Sequence, residues 1–155
     1  LPELLNEACD VRKLDIKSKS LIIKCNTSPL SIFSNKKQLS VILDNVLSNA
    51  IKYSPPSGAI TITYSTNKDN LTINIVDQGP GIDSSLTDKV FDAFYQGKAP
   101  ENSQIKGSGL GLTIVKELLL RLNGSINISQ AEKLSATNKQ GTCVTINLPN
   151  TQAEK

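Results

Sequence analysis

Asn45, Asn49, Lys52 and Tyr53 put two carboxamides, an ammonium and a phenol into one short stretch, NVLSNAIKY. At about 100° per residue on a helix they share one edge, beside an apolar stripe of Leu39, Ile42, Leu43, Val46, Leu47 and Ala50. Neutral amide oxygens suit Mg²⁺, which keeps most of its waters and takes few protein groups when substrate phosphates supply the rest. The lysine is a point charge for phosphate, and the tyrosine offers a ring to a base. A solvated helix flank with chance asparagine content would contain the same residues.

Asp77 is a second candidate: it ends the run NLTINIVD and leads directly into Gln78-Gly79-Pro80-Gly81-Ile82. A carboxylate there can accept from an exocyclic amine, and glycine lets a ring approach the backbone closely; a plain tight turn uses the same residues. A third candidate is the set Gly107, Gly109 and Gly111, just before a helical pattern and with Lys106 upstream, which would bare backbone N–H groups for phosphate at a positive helix end. Neither standard nucleotide fingerprint fits. The P-loop pattern occurs nowhere, and the dinucleotide pattern needs a third glycine where Ser84 stands.

The elements that must position these residues follow from periodicity. Residues 2 to 15 place Leu4, Leu5, Ala8, Val11 and Leu14 at helical spacing, and Leu21 to Cys25 form a short apolar strand. With Asn35 as cap, the spacing predicts a helix that carries the Asn45 ridge and stops at Ser54-Pro55-Pro56-Ser57-Gly58. Residues 59 to 65 and 70 to 77 alternate as a hairpin, a short helical stretch runs from about Ser85 to Phe94, and 97 to 109 has no periodicity. Leu112, Val115, Leu118, Leu119 and Leu122 form one helix face stopped by Asn123-Gly124, and SINISQ and TCVTINLP close the chain as strands around a polar loop at 131 to 140. This order predicts an α+β fold with helices on one face of a mostly antiparallel sheet.

Length sets one domain, since 155 residues suffice for a core without disulfides or structural metal. A net charge of +3 lacks the skew of a nucleic-acid arm, so neither nucleic-acid binding nor direct membrane contact is expected. Cys9, Cys25 and Cys143 are odd in number and lack Cys-x-x-Cys spacing, and they read as reduced core thiols. No apolar run is long enough to cross a membrane. The chain contains neither methionine nor histidine, and the expectation is a fragment of a larger parent.

DNVLSNAIKYSP (44 to 55), DQGPGI (77 to 82), VFDAFYQG (90 to 97), GSGLGL (107 to 112) and GTCVTINLP (141 to 149) stand in family order and spacing. They resemble the N, G1, F and G2 boxes and closing strand of the catalytic domain of bacterial two-component sensor histidine kinases. That domain lies within the wider ATPase group of gyrase B, Hsp90 and MutL, and the resemblance covers essentially the whole chain. It implies a Bergerat-fold two-layer α/β sandwich, with a mixed, mostly antiparallel sheet of about five strands and three helices on one face. The domain would span 1–150, with an ATP lid at about 96–108 and a tail at 151–155.

The implied ligands are ATP and Mg²⁺. By resemblance Asn49 holds the metal, Asn45 lies toward the phosphates with a catalytic role, Lys52 contacts phosphate and Tyr53 lies against the adenine. Asp77 bonds the adenine amine, Gly79 and Gly81 let the base approach, Ile82 lines its pocket, and Thr142 touches it through water. Tyr95, Leu110 and Leu112 complete the binding set within the F and G2 boxes. Phe91 and Phe94 either anchor the lid or are plain core, and Gly107, Gly109 and Gly111 supply its hinges and phosphate contacts. Many relatives have an arginine or lysine where this chain has Gln96, so Lys98, as a catalytic cation, or Lys106 has to reach the γ-phosphate.

The implied activity is transfer of the γ-phosphate to a histidine on a separate dimerisation domain, with a response regulator downstream and a homodimeric, inner-membrane-anchored parent whose cytoplasmic part this is. The alternatives are an ATP-binding module without kinase activity and a water-splitting ATPase. The latter uses a glutamate one turn before the metal asparagine as base for water, and that position is Asn45, which takes no proton. Asp44 sits about 100° around the helix and is expected to point away.

Overall fold

A computed structural model describes residues 1–26, 28–93, 111–131 and 141–150. The chain begins with two helices, α1 (Pro2–Val11) and α2 (Lys13–Ser18), followed by strand β1 (Ile22–Cys25) and the long helix α3 (Lys36–Tyr53). Strands β2 (Ala59–Thr66) and β3 (Asn70–Asp77) form the expected hairpin, and helix α4 (Gly111–Arg121) and strands β4 (Ser125–Gln130) and β5 (Thr142–Pro149) follow. The five strands lie in the order β1-β2-β3-β5-β4.

α3 forms where its caps and pattern require. The Asn35 side chain accepts from the Gln38 N–H at 3.1 Å, satisfying a first-turn donor. Leu39, Ile42, Leu43, Val46, Leu47, Ala50 and Ile51 are buried along one face. The helix connects β1 to β2, which pair in parallel with Ile22 opposite Ala59, because a parallel pair needs a crossover. All other pairings are antiparallel. The β2–β3 turn is closed by Asn67, whose side chain accepts from Asp69 N at 3.2 Å and Asn70 N at 2.9 Å.

Strict alternation turns Ile60 and Ile62 of β2, Leu71, Ile73 and Ile75 of β3, and Val144, Ile146 and Leu148 of β5 into one buried layer against α3 and α4. Val115 and Leu119 seal the α4 side, and Asn123 at φ 54° ends that helix in the left-handed conformation, as its Asn-Gly pair predicts.

Three expectations need correction. The lead-in is two helices broken at Arg12, and Val11 and Leu14 are 74% and 82% exposed instead of lying on the core face with Leu4, Leu5 and Ala8. The break lets Arg12 reach across to α3, where its guanidinium donates to both Asp44 oxygens at 2.8 and 2.7 Å. The stretch after residue 84 is two short 3-10 turns, Ser84–Leu86 and Lys89–Phe91. Of the cysteines, Cys9 and Cys25 pack against the core and burial raises both thiols, whereas Cys143 pairs with Val76 on the opposite face of the sheet. All three are free thiols.

Candidate functional site

Four chain segments far apart in sequence converge at one edge of the helical layer: the ridge of α3, the end of β3, the start of β5 and the first turn of α4. Asp77 is the centre of the arrangement. It lies at the last paired position of β3, directly opposite Thr142 of β5, and is only 5% exposed. Its Oδ1 accepts from Gly79 N at 2.8 Å and from Thr142 N at 3.3 Å, and no described residue donates to Oδ2. Burial pushes its pKa up to about 6, against the lowering effect of those two backbone N–H groups. A carboxylate with one oxygen fixed and the other open is a directed acceptor for an N–H donor such as an exocyclic amine.

Glycine is obligatory on two sides of this carboxylate. A Cβ on Gly79 would stand 2.6 Å from the Tyr53 carbonyl and 2.9 Å from Asp77 Oδ1, so this residue lets the turn after β3 press against the end of α3. At Gly141 a Cβ would run into the Asp77 carbonyl. Gly81 has φ 79°, and Ile82 just beyond it packs against the core. Gln78, within the same turn, accepts from Ala59 N at 2.9 Å and fixes the turn to the start of β2.

Along α3, Asn45, Asn49 and Tyr53 are half-buried and Lys52 is buried, as the edge of a helix packed on a sheet requires. Lys52 Nζ lies 5.2 Å from the centroid of the Tyr53 ring, and burial lowers its pKa. Asn45 donates to the Val41 carbonyl at 2.8 Å, leaving its Oδ1 against Gly111, where a Cβ would come within 2.9 Å. α4 therefore opens directly on the ridge. Asn49 makes no side-chain hydrogen bond to a described residue, so its amide is available. No group of three His, Cys, Asp or Glu side chains could hold a metal among the described residues. One amide oxygen with phosphates and water supplying the rest fits Mg²⁺, which takes few protein ligands in nucleotide sites.

The structure thus sets Asn45 against Gly111, Tyr53 against Gly79, and Asp77 against Gly79 and Thr142, with Asn49 and Lys52 on the same helix α3 and with Gly81, Ile82 and Leu112 next to these contacts in sequence. Phe91 packs on the core while its carbonyl accepts from Thr113 Oγ1 at 2.8 Å and its ring lies 5.5 Å from Lys116 Nζ. Phe94, Tyr95, Gln96, Lys98, Lys106, Gly107, Gly109 and Leu110 lie outside the described residues. Gly141 and Gln78 were not singled out by residue type or spacing, and their roles appear only once β5 and β2 are seen beside Asp77. Asp44 carries no free carboxylate, because Arg12 holds both its oxygens.

Residues 34–152 match the family model described as histidine kinase-, DNA gyrase B-, and HSP90-like ATPase. The sensor histidine kinase WalK of Bacillus subtilis (strain 168) is 35% identical over 74% of this chain, and the heme sensor protein HssS of Staphylococcus saprophyticus is 28% identical over 88%. These matches take in 18% and 29% of those two proteins, so the chain spans under a third of the length of these curated relatives. The structure of the mycobacterial sensor histidine kinase MprB superposes with a TM-score of 0.80 at 29% identity, covering 95% of this chain and 93% of that one. The catalytic domain of histidine kinase ThkA shares the fold at a TM-score of 0.80 and 23% identity, over 97% and 93% of the two chains.

Proposed function

From the premise that the chain belongs to the histidine kinase-, DNA gyrase B- and HSP90-like ATPase family, as a catalytic ATP-binding domain of the two-component histidine kinase type, we propose that it binds Mg·ATP and presents the γ-phosphoryl group to a histidine on a separate dimerisation domain. ATP binding follows from the family; the metal, the acceptor and the direction of transfer are the proposal.

The observation that carries this reading is the pair of residues on α3 one turn before Asn49. A water-splitting ATPase of the family needs a carboxylate there, yet Asn45 is an amide bonded to Val41 and Asp44 is held bidentately by Arg12. Phosphoryl transfer to an imidazole needs no such base, since the unprotonated nitrogen of a neutral imidazole attacks without first losing a proton, as water must. The imidazole nitrogen would bond to the γ-phosphorus as the bond to the β-γ bridging oxygen breaks, with ADP leaving. This chain has no histidine, so the acceptor comes from elsewhere.

The chain's own groups would then divide the work. Asp77 takes the adenine amine on its open oxygen, Tyr53 lies against the ring, and Lys52 offers its charge to the phosphates. Asn49 would hold Mg²⁺, which when bound offsets phosphate charge. The first turn of α4, which begins against Asn45 at Gly111, would offer its backbone N–H groups to the same phosphates. Lys98 or Lys106 would supply the cation for the γ-phosphate that Gln96 cannot. The parent protein would be a homodimeric, membrane-anchored sensor acting on a response regulator, with this domain in the cytoplasm; among the described residues no helix is long and apolar enough to cross a membrane.

The test is a titration with a fluorescent ATP analogue with and without Mg²⁺, followed by addition of a histidine-bearing dimerisation domain and radiolabelled ATP. Saturable, Mg²⁺-sensitive binding and acid-labile label on the added domain are expected. Steady phosphate release by this chain alone, with no label transferred, would favour the ATPase instead.

A further inference from the structure

An α-helix ordinarily leaves its last carbonyls to partners beyond its end. At the end of α3, the residues four beyond Ile51 and Lys52 are Pro55 and Pro56, and neither has an N–H to give. No glycine cap replaces them, for Ser54 is extended at φ −66°, ψ 139° and its N–H goes to Ala50. Both carbonyls are instead taken by one ammonium from the lead-in. Lys19 Nζ donates to Ile51 O at 2.7 Å and to Lys52 O at 3.1 Å.

Lys19 is itself fixed at the backbone. Its carbonyl accepts from Ser57 N at 2.8 Å, and Ser20 beside it turns the chain at φ 52°, so the turn after α2 and the turn after α3 are laced together. No carboxylate pairs with its ammonium among the described residues. The charge sits where a helix end is negative, and burial of the group lowers its pKa.

The turn so held is the one that bears the site. Lys52 is the phosphate candidate, Tyr53 follows it, and the Tyr53 carbonyl is the atom Gly79 approaches in placing the Asp77 turn. We propose that Lys19, outside every motif of the family pattern, is a positioning residue for the nucleotide site: by capping the two carbonyls that prolines orphan, it fixes the last turn of α3 and with it Lys52, Tyr53 and the Asp77 turn. The inference rests on the ATP-binding reading above.

Arg12 supplies the control. It belongs to the same lead-in and grips the same helix, but at Asp44, well before the last turn. Affinity for a fluorescent ATP analogue and thermal midpoint are measured on wild type, Lys19→Met, Lys19→Arg and Arg12→Met. Lys19→Met is expected to weaken binding roughly tenfold, Lys19→Arg to restore it to within about threefold, and Arg12→Met to lower the midpoint with affinity unchanged within about twofold. Should Lys19→Met not fold, Lys19→Gln, which has a donor but no charge and a shorter reach, takes its place in the comparison. Wild-type affinity in the Lys19 variant, or equal weakening in the Lys19 and Arg12 variants, reduces Lys19 to general support and overturns the inference while leaving ATP binding intact. Failure of the wild type to bind overturns the ATP reading instead.

Discussion

Asp77 concentrates the chemistry of the site into one ionisation. Its pKa is raised to about 6, so the folded protein retains a proton that the unfolded chain releases near 3.8. The stability this contributes is full below the unfolded value and is lost as pH rises through the folded one, leaving a penalty of roughly 3 kcal/mol at neutral pH. Asp77→Asn removes that penalty and keeps an oxygen for Gly79 and Thr142, but on the proposed assignment it would present an N–H₂ to the adenine amine. The variant is expected to melt at higher temperature than wild type at pH 8, to lose that advantage at pH 4, and to bind ATP and ADP alike about tenfold or more weakly. Wild-type affinity for ATP should itself fall as pH drops below about 6. On the proposed assignment Asn49→Asp would change the charge beside the phosphates and should alter the Mg²⁺ dependence of binding more than the discrimination of adenine from guanine, measured by titration with each nucleotide. Alanine at Lys98 and Lys106 together should slow transfer to a histidine partner far more than it weakens ADP, which lacks the γ-phosphate.

The two ends of α3 make separable contributions. Asn35 caps the start, far from the site, so Asn35→Ala should cost about 1 kcal/mol of stability in denaturant titration and leave nucleotide affinity alone. At the other end, Gly79→Ala forces a methyl against the Tyr53 carbonyl, which is backbone and cannot swing away. A loss of roughly 1–3 kcal/mol together with weakened nucleotide binding is expected there. If affinity survives Gly79→Ala, the close approach of the turn to α3 is not what shapes the pocket.

The described residues form a single sheet backed by a helical layer, so stability should be cooperative. Ile146 lies fully buried at the middle of β5, the strand between β3 and β4, and Ile146→Ala should cost roughly 2–5 kcal/mol, seen as one shifted unfolding transition rather than two. ATP at a large excess over its Kd should recover part of that loss by mass action, and the same ATP concentration should recover less when Asp77→Asn, with its weaker binding, is added. With no histidine in the chain, incubation with radiolabelled ATP alone should leave no acid-labile phosphate on it, whatever the concentration.

The sequence by itself determined most of the elements and pointed to the candidate site residues. Period-3.6 stripes and caps bounded α3 and α4, alternating β-branched runs marked four of the strands, and the Asn45 ridge and Asp77 were legible because helix geometry and strand ends are local properties. Only the tertiary structure decided what depends on neighbours distant in sequence. Val11 and Leu14 fit a helical stripe, yet the break at Arg12 turns them to solvent, because the Arg12–Asp44 pair spans thirty-two residues that no periodicity connects. Gly141 and Gln78 are ordinary loop residues until β5 and β2 lie beside β3. Pro55 and Pro56 announced in advance that α3 would end, but not which group would take the carbonyls they leave unpaired. That partner, Lys19, comes from a lead-in whose position is set by packing and charge across the fold, and no spacing in the chain encodes it.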